Sequence, residues 1–201
     1  KSLECLEISL SKELCFYSDK FFEEGSYSSD MNRYQVGLMH SRTIFGDSDS
    51  QTLHIDSRLC GVRPYLMLHF FIYLTDCLKS GSGATQFVPK SHTFNRYPKI
   101  GDQKNAIPIY GKAGTIIALN SSTFHGSSKK TNKGNRAILT LAYSRWWIRQ
   151  QWAVPYVNNW PRKLSKKEKY LLGFYNYPDV NPEKRGSLST RGDLPLLIPK
   201  N

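Results

Sequence analysis

Gly114-Thr115-Ile116-Ile117-Ala118-Leu119, then Thr123-Phe124-His125-Gly126-Ser127-Ser128 after a short turn, then Asn135-Arg136-Ala137-Ile138-Leu139-Thr140-Leu141 after a polar loop, is the stretch that decides the fold. Short apolar, β-branched runs bounded by Gly, Asn and Ser clusters are the pattern of β-strands. Working outward, Val62–Leu74, Thr85–Val88 and the full run Ala137–Ser144 read the same way. Residues 26–53 read as extended segments around polar turns such as Gly46-Asp47-Ser48-Asp49-Ser50. In residues 1–24, Leu3, Leu6, Leu10, Leu14, Tyr17 and Phe21 fall at helical spacing, while Leu6, Ile8 and Leu10 also alternate like a strand. Helix is favoured in the second half, ending at Gly25. Ser165-Lys166-Lys167-Glu168 is a capping box that opens a short helix through about Gly173. The tail, with Pro178, Pro182, Pro195 and Pro199, reads as extended. With no repeat or low-complexity block, the expectation is one domain over residues 1–201. It is mainly β, a sandwich or jelly roll with a few peripheral helices.

Composition narrows the function classes. No run of about 18 apolar residues is present, so no membrane span is expected. Cys5, Cys15, Cys60 and Cys77 have no C-x-x-C or other close metal spacing. They read as reduced thiols of a cytoplasmic protein. The net charge of +12 invites a nucleic-acid reading. Yet Lys and Arg are dispersed, and the one local run, Arg162-Lys163 with Lys166-Lys167-Glu168-Lys169, reads as a solvated helix face. A small-molecule substrate, anionic in preference to cationic, is expected, and a nucleic-acid partner is not. The oligomeric state is left open.

The chemistry-bearing residues are His54 and Asp56 of His54-Ile55-Asp56, the distal His125, and Arg136 eleven residues beyond it. Side chains two apart on a strand share one side, so His54 and Asp56 can meet one ion while Ile55 packs outward. Two imidazoles and a carboxylate are the ligand set of a non-haem Fe(II) oxygenase, which keeps open positions for oxygen and co-substrate. Arg136 offers the planar fork that holds a dicarboxylate bidentately. His69 lies in the strongest strand and shares parity with Tyr65 and Phe71, so it points into the barrel as a candidate co-substrate or substrate contact. His40 and His92 read as structural or surface groups. For the tryptophans of Arg145-Trp146-Trp147-Ile148-Arg149-Gln150-Gln151-Trp152, core packing and a substrate-facing wall both stand.

These segments, with Gly83-Ala84-Thr85-Gln86-Phe87-Val88-Pro89-Lys90-Ser91-His92 between them, resemble the phytanoyl-CoA dioxygenase family. Members carry H-x-D, a P-G-S-H segment, a distal F-H-x-S and an Arg before an apolar strand. The resemblance covers about residues 50–152. It implies a double-stranded β-helix, a cupin-like jelly roll, with Fe(II) held by His54, Asp56 and His125. It further implies that Arg136 and Ser127 grip the distal carboxylate of 2-oxoglutarate. The implied activity consumes O2 and 2-oxoglutarate, releases succinate and CO2, and hydroxylates an unactivated C–H bond, with desaturation or cyclisation as related outcomes. The chain departs from the pattern at Lys90, where members have Gly, and at Ala113-Gly114, where many have Gly-Asp. Neither departure touches a ligand position. A zinc hydrolase would leave Arg136 unexplained. A metal-binding but inactive jelly roll, or a basic nucleic-acid-binding module with salt-dependent retention, stands as the alternative.

Overall fold

In the computed structural model, residues 3–24, 33–151 and 162–174 are described. The ambiguous N-terminal region forms two helices, α1 (Leu3–Ser9) and α2 (Lys12–Phe21). Ser11 separates them by capping: its extended backbone starts α2 and its side chain accepts from the Leu14 N–H. The eight strands of the described residues are β1 (Tyr34–Phe45), β2 (Gln51–His54), β3 (Met67–Tyr73), β4 (Thr85–Phe87), β5 (Ile107–Pro108), β6 (Ile116–Asn120), β7 (His125–Ser127) and β8 (Asn135–Arg145). The run expected from Val62 begins as a strand only at Met67, because Gly61 takes a left-handed φ and Pro64 has no N–H for a ladder. Helix α3 (Lys166–Leu171) carries the expected reciprocal Ser165–Glu168 box. It stops before Gly173, whose φ of +82° suits the residue after a helix end. The proline-rich tail and Trp152 lie outside the described residues. No helix among those described is long and apolar enough to cross a membrane.

The strands form two four-stranded sheets, β1-β8-β3-β6 and β2-β7-β4-β5, as a jelly-roll core requires. The chain divides into two compact units, Met39–Ala142 and Lys1–Leu38 with Tyr143–Asn201. In the unit made of the two chain ends, Phe22 stacks on Tyr34 with centroids 5.0 Å apart. The Arg145 side chain there is fully buried and donates to the backbone carbonyls of Phe22 and Glu24. It thus satisfies the C-cap carbonyl of α2 and one in the turn that follows. Trp146 and Trp147 meet edge to face, and Trp147, beside Arg145, stays half-exposed.

Every candidate site residue belongs to the Met39–Ala142 unit. Its core is the inner faces of the sheets: Phe71 and Tyr73 from β3, Ile117 and Leu119 from β6, Ile138 from β8. The register sets Phe71 opposite Ile117 and His69 opposite Leu119, so His69 shares the inward row. Tyr73 ties the sheets together: its fully buried hydroxyl donates to Ile109 O at 2.7 Å and accepts from Thr85 N at 2.9 Å.

The segment after β4 is a brace. Buried Ser91 donates to Val88 O at 2.7 Å and accepts from Phe124 N at 2.8 Å, fixing the residue before His125. The turn that delivers Ser91 needs a left-handed residue, and Lys90 adopts φ +62° to supply it. The P-G-S-H pattern that this segment resembles has Gly at this place, and Lys90 keeps the turn at the expense of strain. A left-handed L-residue costs about 1–2 kcal/mol, and glycine gives back roughly 0.5–1 kcal/mol through its floppier unfolded state. Lys90→Gly is therefore expected to stabilise the chain by about 0.5–1 kcal/mol. A higher urea midpoint with an unchanged slope is the readout.

Candidate active site

Strands β2 and β7 place the two histidines. Gln51 pairs with Ser127 and His54 with His125, so three steps along β2 match two along β7. This β-bulge brings His54, not Leu53, opposite His125, with ring centroids 4.3 Å apart. The strands approach closely because residue 126 is glycine. A Cβ there would stand 2.6 Å from the Gln51 carbonyl oxygen and 3.3 Å from that of Thr52.

The sequence reading put Asp56 on the same strand as His54, and the structure corrects this. Strand β2 ends at His54, and Asp56 sits in the bend that follows. Its position comes from the residue after β6 instead: the Asp56 and Ser57 N–H groups donate to Ser121 O at 2.9 and 3.1 Å. A backbone clamp replaces strand parity, and the carboxylate still reaches both histidines. Asp56 lies 3.6 Å from His54 Nε2 and 3.2 Å from His125 Nε2.

Each of these rings faces a backbone carbonyl through Nδ1, His54 to Thr52 O at 3.1 Å and His125 to Thr123 O at 2.9 Å. A carbonyl only accepts, so Nδ1 carries the proton in both rings and Nε2 presents a bare lone pair. Two imidazole lone pairs and an ionised carboxylate then converge, with ligand atoms of all three residues within 4.8 Å of one another. Acceptors alone repel, and a shared cation resolves the conflict. The donor set therefore fits a divalent metal of the borderline kind that imidazole and carboxylate favour. Burial lowers the proton affinity of His54, and the neighbouring His125 lowers it further.

Arg136, near the start of β8, supplies the second half of the site. It is 3% exposed, donates through Nη2 to Thr85 Oγ1 at 3.0 Å, and lies 6.0 Å from the Tyr73 ring centre. Its Nε has no partner, and no carboxylate among the described residues pairs with it. Burial pushes its proton affinity down. An unpaired buried guanidinium is costly, and a carboxylate brought by a ligand would relieve it. Ser127 is buried on the same face of β7 as His125 and lies opposite Thr85, beside this cation.

His69 faces inward as its parity implied, but its close polar neighbour is Asp56, 2.9 Å from Nδ1. His92 packs against Tyr65. Sequence reasoning missed Thr85, which braces Arg136, and Ser91, which braces the segment before His125. It also missed Arg42 of β1, which donates to Gln51 Oε1 at 3.1 Å. The parity of Thr85 at the head of a strand was available as a signal; nothing local marked the other two.

A family model described as phytanoyl-CoA dioxygenase (PhyH) matches residues 10–138. A curated relative, dioxygenase olcK of Penicillium canescens, is 32% identical over 78 residues, 39% of this chain. The match spans only 26% of that relative's length. Among solved structures, HygX from Streptomyces hygroscopicus with nickel, 2-oxoglutarate and hygromycin B bound superposes with a TM-score of 0.61 at 15% identity, covering 74% of this chain and 68% of that one. AviO1 from Streptomyces viridochromogenes Tue57 gives 0.54 at 17% identity, covering 67% and 57%. At such identities these two likenesses speak for the fold.

Gly126→Ala is expected to push β2 off β7 and weaken Co(II) binding on the order of tenfold, the size of effect that displaced supporting groups produce. Calorimetric titration checks this, and the variant should keep the far-ultraviolet spectrum of the parent.

Proposed function

We propose, since the chain belongs to the phytanoyl-CoA dioxygenase family, that it is an Fe(II)- and 2-oxoglutarate-dependent dioxygenase acting on a small anionic molecule. One observation carries this reading: a triad of convergent lone pairs and a buried cation without a counter-ion stand in one barrel. The family's chemistry needs both. In this reading His54, Asp56 and His125 hold the iron, and Arg136, braced by Thr85, receives the distal carboxylate of 2-oxoglutarate with Ser127 beside it.

The bound metal and co-substrate supply the oxidising power, such that O2 and 2-oxoglutarate yield succinate, CO2 and one oxygen atom inserted into a substrate C–H bond. The protein's part is positioning and exclusion of water. The tautomers of His54 and His125, set by Thr52 and Thr123, keep both lone pairs on the ion. Phe71, whose ring centre lies 5.4 Å from that of His125, gives the site an apolar wall. Asp56 occupies the position that a halide would need, which favours hydroxylation.

An anionic substrate is read from Arg42 together with the net charge of +12. Arg42 is exposed, has no carboxylate partner among the described residues, and its charge reaches His40, His54 and Arg136. One oxygenase domain in the cytoplasm is part of the proposal, and the four unpaired cysteines support the reducing compartment.

The test is Fe(II)-dependent succinate formation from 2-oxoglutarate across a panel of anionic metabolites. Arg136→Ala should leave Co(II) affinity near the parent value and raise the 2-oxoglutarate requirement at least tenfold. Loss of a buried charge-assisted pair costs on the order of 2–5 kcal/mol. Arg136→Lys should recover only part, since an ammonium cannot reproduce the fork. A parent chain that binds metal but never forms succinate would leave the inactive jelly-roll reading in place.

A further inference from the structure

His69 is the buried polar group that the proposed chemistry leaves without a task. It is 2% exposed, on the inward row of β3, between Phe71 and the cross-strand Leu119. Its Nδ1 lies 2.9 Å from Asp56 Oδ2 but out of hydrogen-bonding alignment, so neither ring nitrogen has a hydrogen-bond partner among the described residues. A buried imidazole N–H left unpaired is costly, and the Asp56 carboxylate stands within reach of it. It also stands outside the group of ligand atoms that His54, Asp56 and His125 bring together.

The backbone of Asp56 is clamped by Ser121 O, but that clamp leaves the carboxylate free to turn about its side-chain bonds. The carboxylate lies on a bend and its side chain is 29% exposed, so packing alone does not fix it. Both restraints come from one strand pair: Ser121 follows β6, its N–H donates to Met67 O at 3.1 Å, and β3 then carries His69. Backbone and side chain of Asp56 are thus gripped from adjacent strands.

We propose that His69 is a positioning residue, whose Nδ1–H donates to Asp56 and sets which carboxylate lone pairs face the metal, while His69 itself touches neither the ion nor 2-oxoglutarate. This rests on the iron-site reading above and reassigns His69 from the co-substrate contact that strand parity suggested. Supporting groups that orient a ligand typically govern 10–100-fold in metal affinity.

Three variants separate the possibilities, with Co(II) as the probe. His69→Leu keeps the bulk and removes the donor. His69→Asn puts an amide N–H close to where Nδ1 stands. His69→Gln keeps an amide but carries it too far along the side chain. Calorimetry should find Co(II) bound about 10–100-fold more weakly by the Leu and Gln variants, and within a few-fold of the parent by Asn. The visible Co(II) spectrum, which reports coordination geometry, should shift in Leu and Gln and return in Asn. If the Leu variant fails to fold, the contrast of Gln with Asn decides. Parent-like affinity and spectrum in Leu or Gln would overturn the proposal, including the case where only the 2-oxoglutarate requirement rises. Asn folded but as weak as Gln would overturn it too. A parent chain that binds no Co(II) would instead overturn the iron-site reading on which this rests, so the two failures are told apart by the parent alone.

Discussion

At Gly126 two strands come so close that the Gln51 carbonyl oxygen stands 2.6 Å from where a Cβ would be, and the distances of the site are inherited from that contact. The bulge in β2 turns His54 toward His125 across it. From the same row of residues the ladder continues from Ser127 to Thr85, so Gln51, Ser127 and Thr85 lie side by side on three strands. Arg42 donates to the first of these and Arg136 to the last. One short stretch of backbone packing therefore spaces the lone pairs and the cations at once. Glycine is needed there for space, since its φ is not of the left-handed kind.

What that packing brings together is unfavourable on its own terms. Three acceptors face one another, and a guanidinium is buried with a hydroxyl and the Cys77 thiol as its neighbours and no carboxylate among the described residues. A buried unpaired charge costs several kcal/mol, so the rest of the unit has to offset it. The apolar layer of Phe71, Tyr73, Ile117, Leu119 and Ile138 does so, with the Tyr73 hydroxyl tying the two sheets. Sites that violate the usual rules of burial are where function concentrates. Here each unmet need has a matching complement: a divalent cation for the lone pairs and a carboxylate for Arg136.

The sequence disclosed the candidate residues better than the geometry that brings them together. That His54, Asp56 and His125 converge and that Arg136 is buried was legible because the proposed metal coordination and carboxylate recognition tolerate few residue types. Strands β3, β4, β6 and β8 and the α3 capping box were legible from periodicity and caps, whereas β5 and β7 are too short to show a pattern. The position of Asp56 was not, because it depends on a carbonyl of Ser121 sixty-five residues away and not on strand parity. The bulge escaped for the same reason: pairing two strands out of step is a property of both. Thr85 and Ser91 carry common hydroxyls whose roles emerge only when a distant partner arrives. At Lys90 the side chain gives no hint of a left-handed φ, so the turn was visible only through the glycine of the P-G-S-H pattern that the segment resembles. The helix α1 competed locally with a strand reading of Leu6, Ile8 and Leu10, which no short-range rule decides.

The central claim is that one barrel holds a metal on His54, Asp56 and His125 and a dicarboxylate on Arg136. A crystal structure of the chain grown with Co(II) and 2-oxoglutarate tests it most directly. The account predicts an ion about 2.0–2.2 Å from both Nε2 atoms and from an Asp56 oxygen. It also predicts a 2-oxoglutarate carboxylate within about 2.7–2.9 Å of the Arg136 guanidinium. Metal bound elsewhere, or 2-oxoglutarate seated with Arg136 still unpaired, would contradict it.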